Sequence, residues 1–389
     1  MSEKPLKPGW KLVKFGDVVR NANLVVRDPV ANGIERIVGL EHLDPENLHI
    51  RRWNSYEDAT SFSRKFVPGQ TLFGKRRAYQ RKVAYAEFEG ICSGDILTFE
   101  SRERNILLPE LLPFICQSEA FLDYALGTSA GSLSPRTSWT ALKDFEFLLP
   151  PLEEQKCIAE ILWAVDTVIK SYNRALKHLN FFRNIFFIEK CFLNHSQQYL
   201  QKTKRISNGW PVKNINELFQ LRTDKSLPPH SQIEYLGLEH FDSGAFTLPR
   251  TGKSFGIKST CNIYKPNDLL YGKLRPNLDK ATIVNSEGVC STEILVITSN
   301  NKIIPELLIH HLHSPKFVFW NSYRAFGSKM PRTSIEIISK YKIPVPPIEE
   351  QITIVKHLQK IANTEHLIKE KINKVKSIQY QYINRFISY

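Results

Sequence analysis

The sequence predicts an α+β protein: two tandem copies of a mixed α/β domain, separated by two long helices that pair as an antiparallel coiled coil. Three observations predict it. The chain repeats itself in order at a nearly constant offset. Each repeat ends in Pro-Pro and passes into a sustained heptad pattern. And 389 residues hold two such units at ordinary domain size.

The repeat is explicit. Gly9-Trp10 recurs as Gly209-Trp210, and Val38-Gly39-Leu40-Glu41-His42 as Leu236-Gly237-Leu238-Glu239-His240. Phe66 to Ser101 lies over Tyr264 to Ser299, with Gly74-Lys75, Arg77, Lys82 and Cys92-Ser93 matching Gly272-Lys273, Arg275, Lys280 and Cys290-Ser291. Pro109-Glu110-Leu111-Leu112 returns as Pro305-Glu306-Leu307-Leu308. Gly131-Ser132-x-x-Pro135-Arg136-Thr137-Ser138 returns as Gly327-Ser328-x-x-Pro331-Arg332-Thr333-Ser334. Pro150-Pro151-Leu152-Glu153-Glu154-Gln155 returns as Pro346-Pro347-Ile348-Glu349-Glu350-Gln351. The offset moves only between 200 and 196 over these ordered blocks, which chance does not produce.

Residues 1–152 read as the first domain. Short β-branched and aromatic runs such as Ile91 to Phe99, punctuated by Gly, Pro, Asn and Asp, mark strands. Residues 153–192 read as the central helix. Pro150-Pro151 break what precedes it, and Glu153-Glu154 place negative charge on its N-terminus, where the macrodipole favours it. Its seam runs through Ile158, Ile161, Val165, Val168, Tyr172, Ala175, Leu179, Phe182 and Phe186. The polar stretch 193–208 reads as a linker, and 209–348 as the second domain with a matching strand run from Val289 to Thr298. Residues 349–389 form the second helix. Ile354, Ile361, Ile368, Val375 and Tyr382 keep a seven-residue step, with Leu358, Ile372 and Phe386 at the other seam position. Each helix spans roughly 55 Å. An apolar seam of that length needs a partner. The most economical partner is the other helix, and the alternative is that each folds back on its own domain.

Lys plus Arg number 53 against 39 Asp plus Glu, a net charge of +14 and a pI near 9.4. That balance points to a polyanion, nucleic acid first and an anionic membrane surface second. No stretch approaches the roughly 20 apolar residues of a spanning helix, and Met1 to Trp10 lacks the apolar core of a signal peptide. Six scattered cysteines with no C-x-x-C argue against a disulfide framework or a zinc site, and for a cytoplasmic location.

Gly74-Lys75-Arg76-Arg77 and Gly272-Lys273-x-Arg275 place cations beside a flexible backbone, suited to phosphates or to guanine in the major groove. The candidate DNA-binding residues are Lys75, Arg76, Arg77, Lys82 and Arg136 in the first copy, and Lys273, Arg275, Lys280 and Arg332 in the second. In the Pro-Arg-Thr-Ser blocks the hydroxyls suit either phosphate contact or the capping of a following segment. His42 and His240, with no second ligand at metal spacing, read as structural. Cys92 and Cys290, with no base nearby in sequence, read as small buried residues. Thr251-Gly252-Lys253-Ser254 resembles the end of a phosphate loop, but Thr247 stands where its first glycine belongs. No cofactor loop is present, and the chain reads as non-catalytic.

A duplicated domain ending in Pro-Pro-[Leu/Ile]-Glu-Glu-Gln, each copy followed by a long helix, resembles the specificity subunit of type I restriction-modification systems. Leu270-Tyr271-Gly272-Lys273-Leu274-Arg275-Pro276 with Gly288-Val289-Cys290-Ser291-Thr292-Glu293 is similar to a common version of that family's target-recognition domain. The first copy lacks the proline and the Thr-Glu. The resemblance implies a non-catalytic subunit that reads a split, asymmetric sequence in double-stranded DNA. It implies two methyltransferase subunits held by the chain and restriction-translocase subunits joining them. S-adenosylmethionine, ATP and Mg²⁺ would then reside on those partners, and none in this chain. The competing readings are a cryptic DNA methyltransferase or nuclease, and a structural coiled-coil protein.

Overall fold

The structure, a computed structural model, describes residues 7–29, 31–55, 62–193, 210–226, 233–246, 248, 250–254 and 256–387. The segment 193–208, read as a linker, falls almost wholly outside them. The chain divides into two units, one of residues 1–173 with 369–389 and one of residues 174–368.

In the first unit an antiparallel sheet has the strand order Val19–Asn21, Ile96–Ser101, Thr71–Gly74, Val83–Tyr85. A second sheet runs Leu24–Val25, Arg64–Phe66, Gly90–Cys92, Ile37–Val38, with the last pair parallel. Lys11–Lys14 pairs with Glu146–Leu149 and delivers the chain to Pro150-Pro151. The run Ile91 to Phe99, expected as one strand, is therefore two strands in two sheets, divided by a turn at residues 93–95. Both pieces are buried, so their apolar residues merge into one run in the sequence. Phe15, Phe73, Phe99, Phe121 and Phe147 centre the larger core, which Ile158 and Leu162 of the first long helix and Ile383, Phe386 and Ile387 of the second complete. Val38, Phe66, Leu72 and Ile96 form a smaller core.

The second unit repeats this topology. Its sheets run Phe219–Leu221, Ile294–Ser299, Leu269–Gly272, Ala281–Ile283, and Lys225–Ser226, Cys261–Tyr264, Gly288–Cys290, Glu234–Leu236. Even the register is kept, Leu72 opposite Thr98 and Leu270 opposite Val296. Gly252–Lys253, inside the phosphate-loop look-alike, is an edge strand added to the second sheet.

The long helices are Leu152–Ile188 and Ile348–Ile387. Within the first unit Gln379 Nε2 donates to Leu162 O at 3.4 Å. Within the second, Arg183 pairs with Glu365 at 2.8 Å and the Phe186 ring lies 5.7 Å from His357. Numbers rise along one helix as they fall along the other, so the pairing is antiparallel. The seam of the second helix runs as the heptad predicts, with Glu365 and Gln379 filling its two polar places. The first helix departs. Ile158, Leu162 and Ile169 are buried, and Val165, Tyr172, Leu176, Leu179 and Arg183 are half-buried, whereas Ile161, Val168 and Phe182 face out. The cause is a pair of adjacent apolar rows, 161/168/175/182 beside 162/169/176/183. Periodicity alone does not choose between them, and the inner row ends on an arginine. Lys376 lies 3.4 Å from Glu46 of its own unit.

His311 stands where the first copy has Ile115. Both its ring nitrogens are buried without a hydrogen-bond partner among the described residues, beside Phe187 and Phe192. Burial pulls its pKa down to about 3. Unfolded, the ring takes up a proton near its ordinary value of about 6.5. The neutral ring's stability is therefore present above that value and lost progressively as pH falls towards 3. Thermal unfolding at about pH 7 and about pH 5 should show an acid-sensitive transition in the wild type. His311→Ile should weaken that sensitivity and raise the midpoint. An unchanged pH dependence in the variant would remove His311 as its source.

Candidate nucleic-acid interface

Three turns meet in each unit, and hydrogen bonds fix them in the same way twice. In the first, the turn after Thr71–Gly74 is bound on one side by Lys75 N donating to Asp95 O at 2.9 Å. On its other side Thr137 N donates to Lys75 O at 3.0 Å and Arg77 N to Pro135 O at 2.7 Å. In the second, Lys273 N donates to Glu293 O at 2.8 Å, Thr333 N to Lys273 O at 3.0 Å, and Arg275 N to Pro331 O at 2.7 Å. Arg136 and Arg332 also pair by backbone with Ala130 and Phe326, closing each Gly-Ser loop at its base. Gly131 and Gly327 open these loops at φ 103° and 95°, a region where a side chain would be strained.

Arg77 and Arg275 hold left-handed backbone at φ 56° and 50°. Glycine takes that conformation without the penalty an L-residue meets. Arginine at both positions therefore serves its side chain. Arg77 Nη2 donates to Ser134 Oγ at 3.2 Å, while no side-chain hydrogen bond or ion pair of Arg275 appears among the described residues.

The predicted residues separate into groups. Lys75, Arg76, Arg77 and Arg136 share one surface of the first unit, with Arg64 beside them and Asp95 as the carboxylate they surround. Partial burial lowers the pKa of Lys75, and the positive charges of Arg64 and Arg136 lower it further against Asp95. Lys273, Arg275 and Arg332 form the same surface in the second unit. Within it, Arg136 Nε donates to Asp95 at 3.0 Å and Arg332 Nε to Glu293 at 3.1 Å, so both arginines brace the platform. Lys82 and Lys280 lie across from Gly74 and Gly272, whose N–H groups donate to the lysine carbonyls at 2.9 and 2.8 Å. Their ammonium groups donate to Leu40 O at 2.6 Å and Leu238 O at 2.7 Å, tying the Leu-Glu-His turn to the sheet.

The remaining motif residues hold the fold. His42 and His240 accept the Gly39 and Gly237 N–H on Nδ1, each at 2.9 Å. Ser138 and Ser334 cap one-turn helices, accepting from Ala141 N and Ile337 N. Burial pushes the Cys92 and Cys290 thiols up to about 12, far from a thiolate at neutral pH. Among the described residues no group of three or more His, Cys, Asp or Glu is arranged to hold a metal ion, and no helix is long and apolar enough to cross a membrane. Two features escaped the sequence. One is the clamp made by Gln155 and Gln351. The other is the loop tip at 133–134 and 329–330, exposed at Leu133, Lys329 and Met330 and concealed by being the variable part of its motif.

Residues 9–180 and 207–377 match the family described as the type I restriction modification DNA specificity domain. The chain is 23% identical over 375 residues to the MjaVIII type I restriction enzyme specificity subunit of Methanocaldococcus jannaschii, covering 90% of this chain and 81% of that one. It is 24% identical over 171 residues to the EcoDI specificity subunit of Escherichia coli, a match that spans only 38% of that protein. Its fold is similar to the type I restriction-modification S subunit from M. genitalium, with a TM-score of 0.54, 12% identity, and 99% and 98% of the two chains covered. A chain from a type I restriction-modification assembly gives a TM-score of 0.52 at 17% identity, covering 98% of each. With the family matched over most of its length, twice and in order, the chain belongs to the type I restriction-modification DNA specificity family.

Proposed function

We propose that the chain is the DNA-reading scaffold of a type I restriction-modification complex, each unit contacting one short element of a split and asymmetric duplex target. The observation that carries this reading is the cationic three-turn platform, built by the same hydrogen bonds in both units. Two copies of a methyltransferase subunit dock on the two pseudo-equivalent units, and restriction-translocase subunits join them. S-adenosylmethionine, ATP and Mg²⁺ belong to those partners, and the complex acts on DNA in the cytoplasm. The outer apolar row Ile161, Val168 and Phe182 offers such a partner a surface on the first helix. The test is to map methylated sites in cells carrying this chain with its methyltransferase. Two short elements flanking an unread centre are expected, and one continuous element would overturn the reading. Cleavage or methyl transfer by the purified chain alone, given DNA, Mg²⁺ and S-adenosylmethionine, would favour an enzyme instead.

Two expected results follow from named residues. Lys273→Ala with Arg275→Ala should weaken binding to one half-site, and Lys75→Ala with Arg77→Ala to the other. Lost phosphate contacts should also flatten the dependence of binding on salt by about one unit of log–log slope per cation. Unchanged binding in both double variants would retire the platform. Separately, one heptad inserted into each long helix keeps the seam and adds about 10.5 Å to each. The preferred spacer should lengthen by about three base pairs at 3.4 Å each. Methylation of targets differing only in spacer length reads this directly, and an unchanged preference would show that the helices do not set the spacing.

A further inference from the structure

Duplication supplies an internal comparison at the candidate interface. Across the two eight-residue loops 131–138 and 327–334, six positions are identical and two differ: Leu133 against Lys329, and Ser134 against Met330. In the adjoining turns 74–77 and 272–275, three positions are identical and one differs, Arg76 against Leu274. The shared residues are those already seen to brace the platform or to carry its cations. Those three differences sit at or beside its tip; the third turn differs as well, at Gly94 against Thr292 and Asp95 against Glu293. Leu133 is 90% exposed and Met330 47%, and Lys329 is exposed as well. Arg76 Nη2 donates to Ser134 Oγ at 3.1 Å, so two of the three differing positions touch each other in the first unit. The second unit replaces that polar pair with Leu274 and Met330.

Drift on an idle surface would scatter the differences. Here the loop bases are pinned by the same backbone hydrogen bonds in both units, and within the two loops compared the exposed differences, Leu133, Lys329 and Met330, lie at the tip, while Arg76, Ser134 and Leu274 are half-buried. A reader of two unlike half-sites needs this division, because phosphates are the same in every duplex while base edges differ. The tips also sit among cations: Lys75, Arg76, Arg77 and Arg136 in one unit, and Lys273, Arg275 and Arg332 in the other.

Resting on the split-target reading, we propose that each unit reads bases with its loop tip, Leu133 with Ser134 in the first and Lys329 with Met330 in the second, while the shared platform residues hold the duplex by its phosphates. The chemistry of each tip names its base. Leu133 has no hydrogen-bonding group, and its complement in the major groove is the thymine methyl. Lys329 is a three-donor cation on a flexible stem, and its complement is the guanine O6/N7 edge. Arg76 is a positioning residue that orients Ser134, a role Leu274 does not fill. The two half-sites therefore differ at the tip-contacted base pair, T·A in one and G·C in the other.

The test uses the full chain assembled with its methyltransferase subunits, methylating a duplex library randomised at each recognised position. Leu133→Ala should relax one T·A position in one half about tenfold and leave the other half unchanged. Lys329→Ala should relax one G·C position in the opposite half to a similar extent. Thermal unfolding should not move for either variant, because both side chains are exposed. Lys75→Ala is the contrasting control, expected to lower methylation of all library members alike and leave the motif intact. An unaltered motif in both tip variants overturns the proposal. So does a uniform loss at every sequence, the signature of a phosphate contact or a folding defect. A wild-type motif without an unread centre would sink the split-target reading instead, and the tip variants would still report whether the tips read bases.

Discussion

Replacing Gln155 with Ala is expected to cost the first unit about 3–6 kcal/mol, enough to unfold much of it at physiological temperature. The side chain is buried at the start of the first long helix. Its Nε2 donates to Ile106 O at 2.8 Å and Pro150 O at 2.9 Å, and its Oε1 accepts from Leu108 N at 2.9 Å. One amide thus satisfies three main-chain groups in a loop and a helix start that have no other common partner. Alanine leaves all three without that bond, two of them buried and the Ile106 carbonyl part-buried, at about 1–2 kcal/mol each. Gln351 repeats the clamp on Lys302 O, Pro346 O and Ile304 N, and Gln351→Ala should do the same to the second unit. Glu at either position keeps the size but replaces two donated bonds with like-charged oxygens, and should be little better than Ala at neutral pH. Urea midpoints followed by circular dichroism measure the effect. A loss below about 1 kcal/mol in both variants would show that water replaces the amide.

The second large effect concerns the ion pair in the seam of the second unit. Arg183 Nη1 and Glu365 Oε2 lie 2.8 Å apart, each side chain 13% exposed, and the guanidinium rests 4.8 Å from the Phe246 ring centroid. Burial lowers the Arg183 pKa, and Glu365 and Asp279 oppose that shift. Glu365→Ala should therefore destabilise the unit by about 3–5 kcal/mol, since it strands a buried cation. Leucine at both positions restores the apolar heptad, and the double variant should match or exceed the wild type in stability. Unfolding curves of the two variants decide it. A double variant as unstable as Glu365→Ala would show that the pair is not the element at fault.

Much of this architecture was legible because duplication and heptads are long-range patterns that survive noise. The seam of the second helix is plain in the sequence, since one apolar residue recurs at every seventh place. The first helix shows its limit. Ile161 and Leu162 are neighbours, as are Val168 and Ile169, and only a partner surface selects between the rows. At the interface, recurrence marked Lys75 and Lys82 equally, and only the structure shows that the Lys82 ammonium donates to Leu40 O. Duplication preserves what holds a domain together as faithfully as what the domain touches. Gln155 was visible as the last letter of a motif, but two of its three partners lie 47 and 49 residues away and leave no local trace.

The first unit takes its last turns of helix from residues 369–387. On the ribosome that makes it a domain begun early and closed late. Residues 7–173, with Ile158 and Leu162 among them, emerge while Ile383, Phe386 and Ile387 are still untranslated. At roughly 5–20 residues per second, the intervening chain takes about 10–40 s to appear. Throughout that interval the apolar surface that those three residues cover in the finished protein lacks its partner. A frameshift just before residues 369–387 would therefore damage the unit whose residues 7–173 are translated earlier.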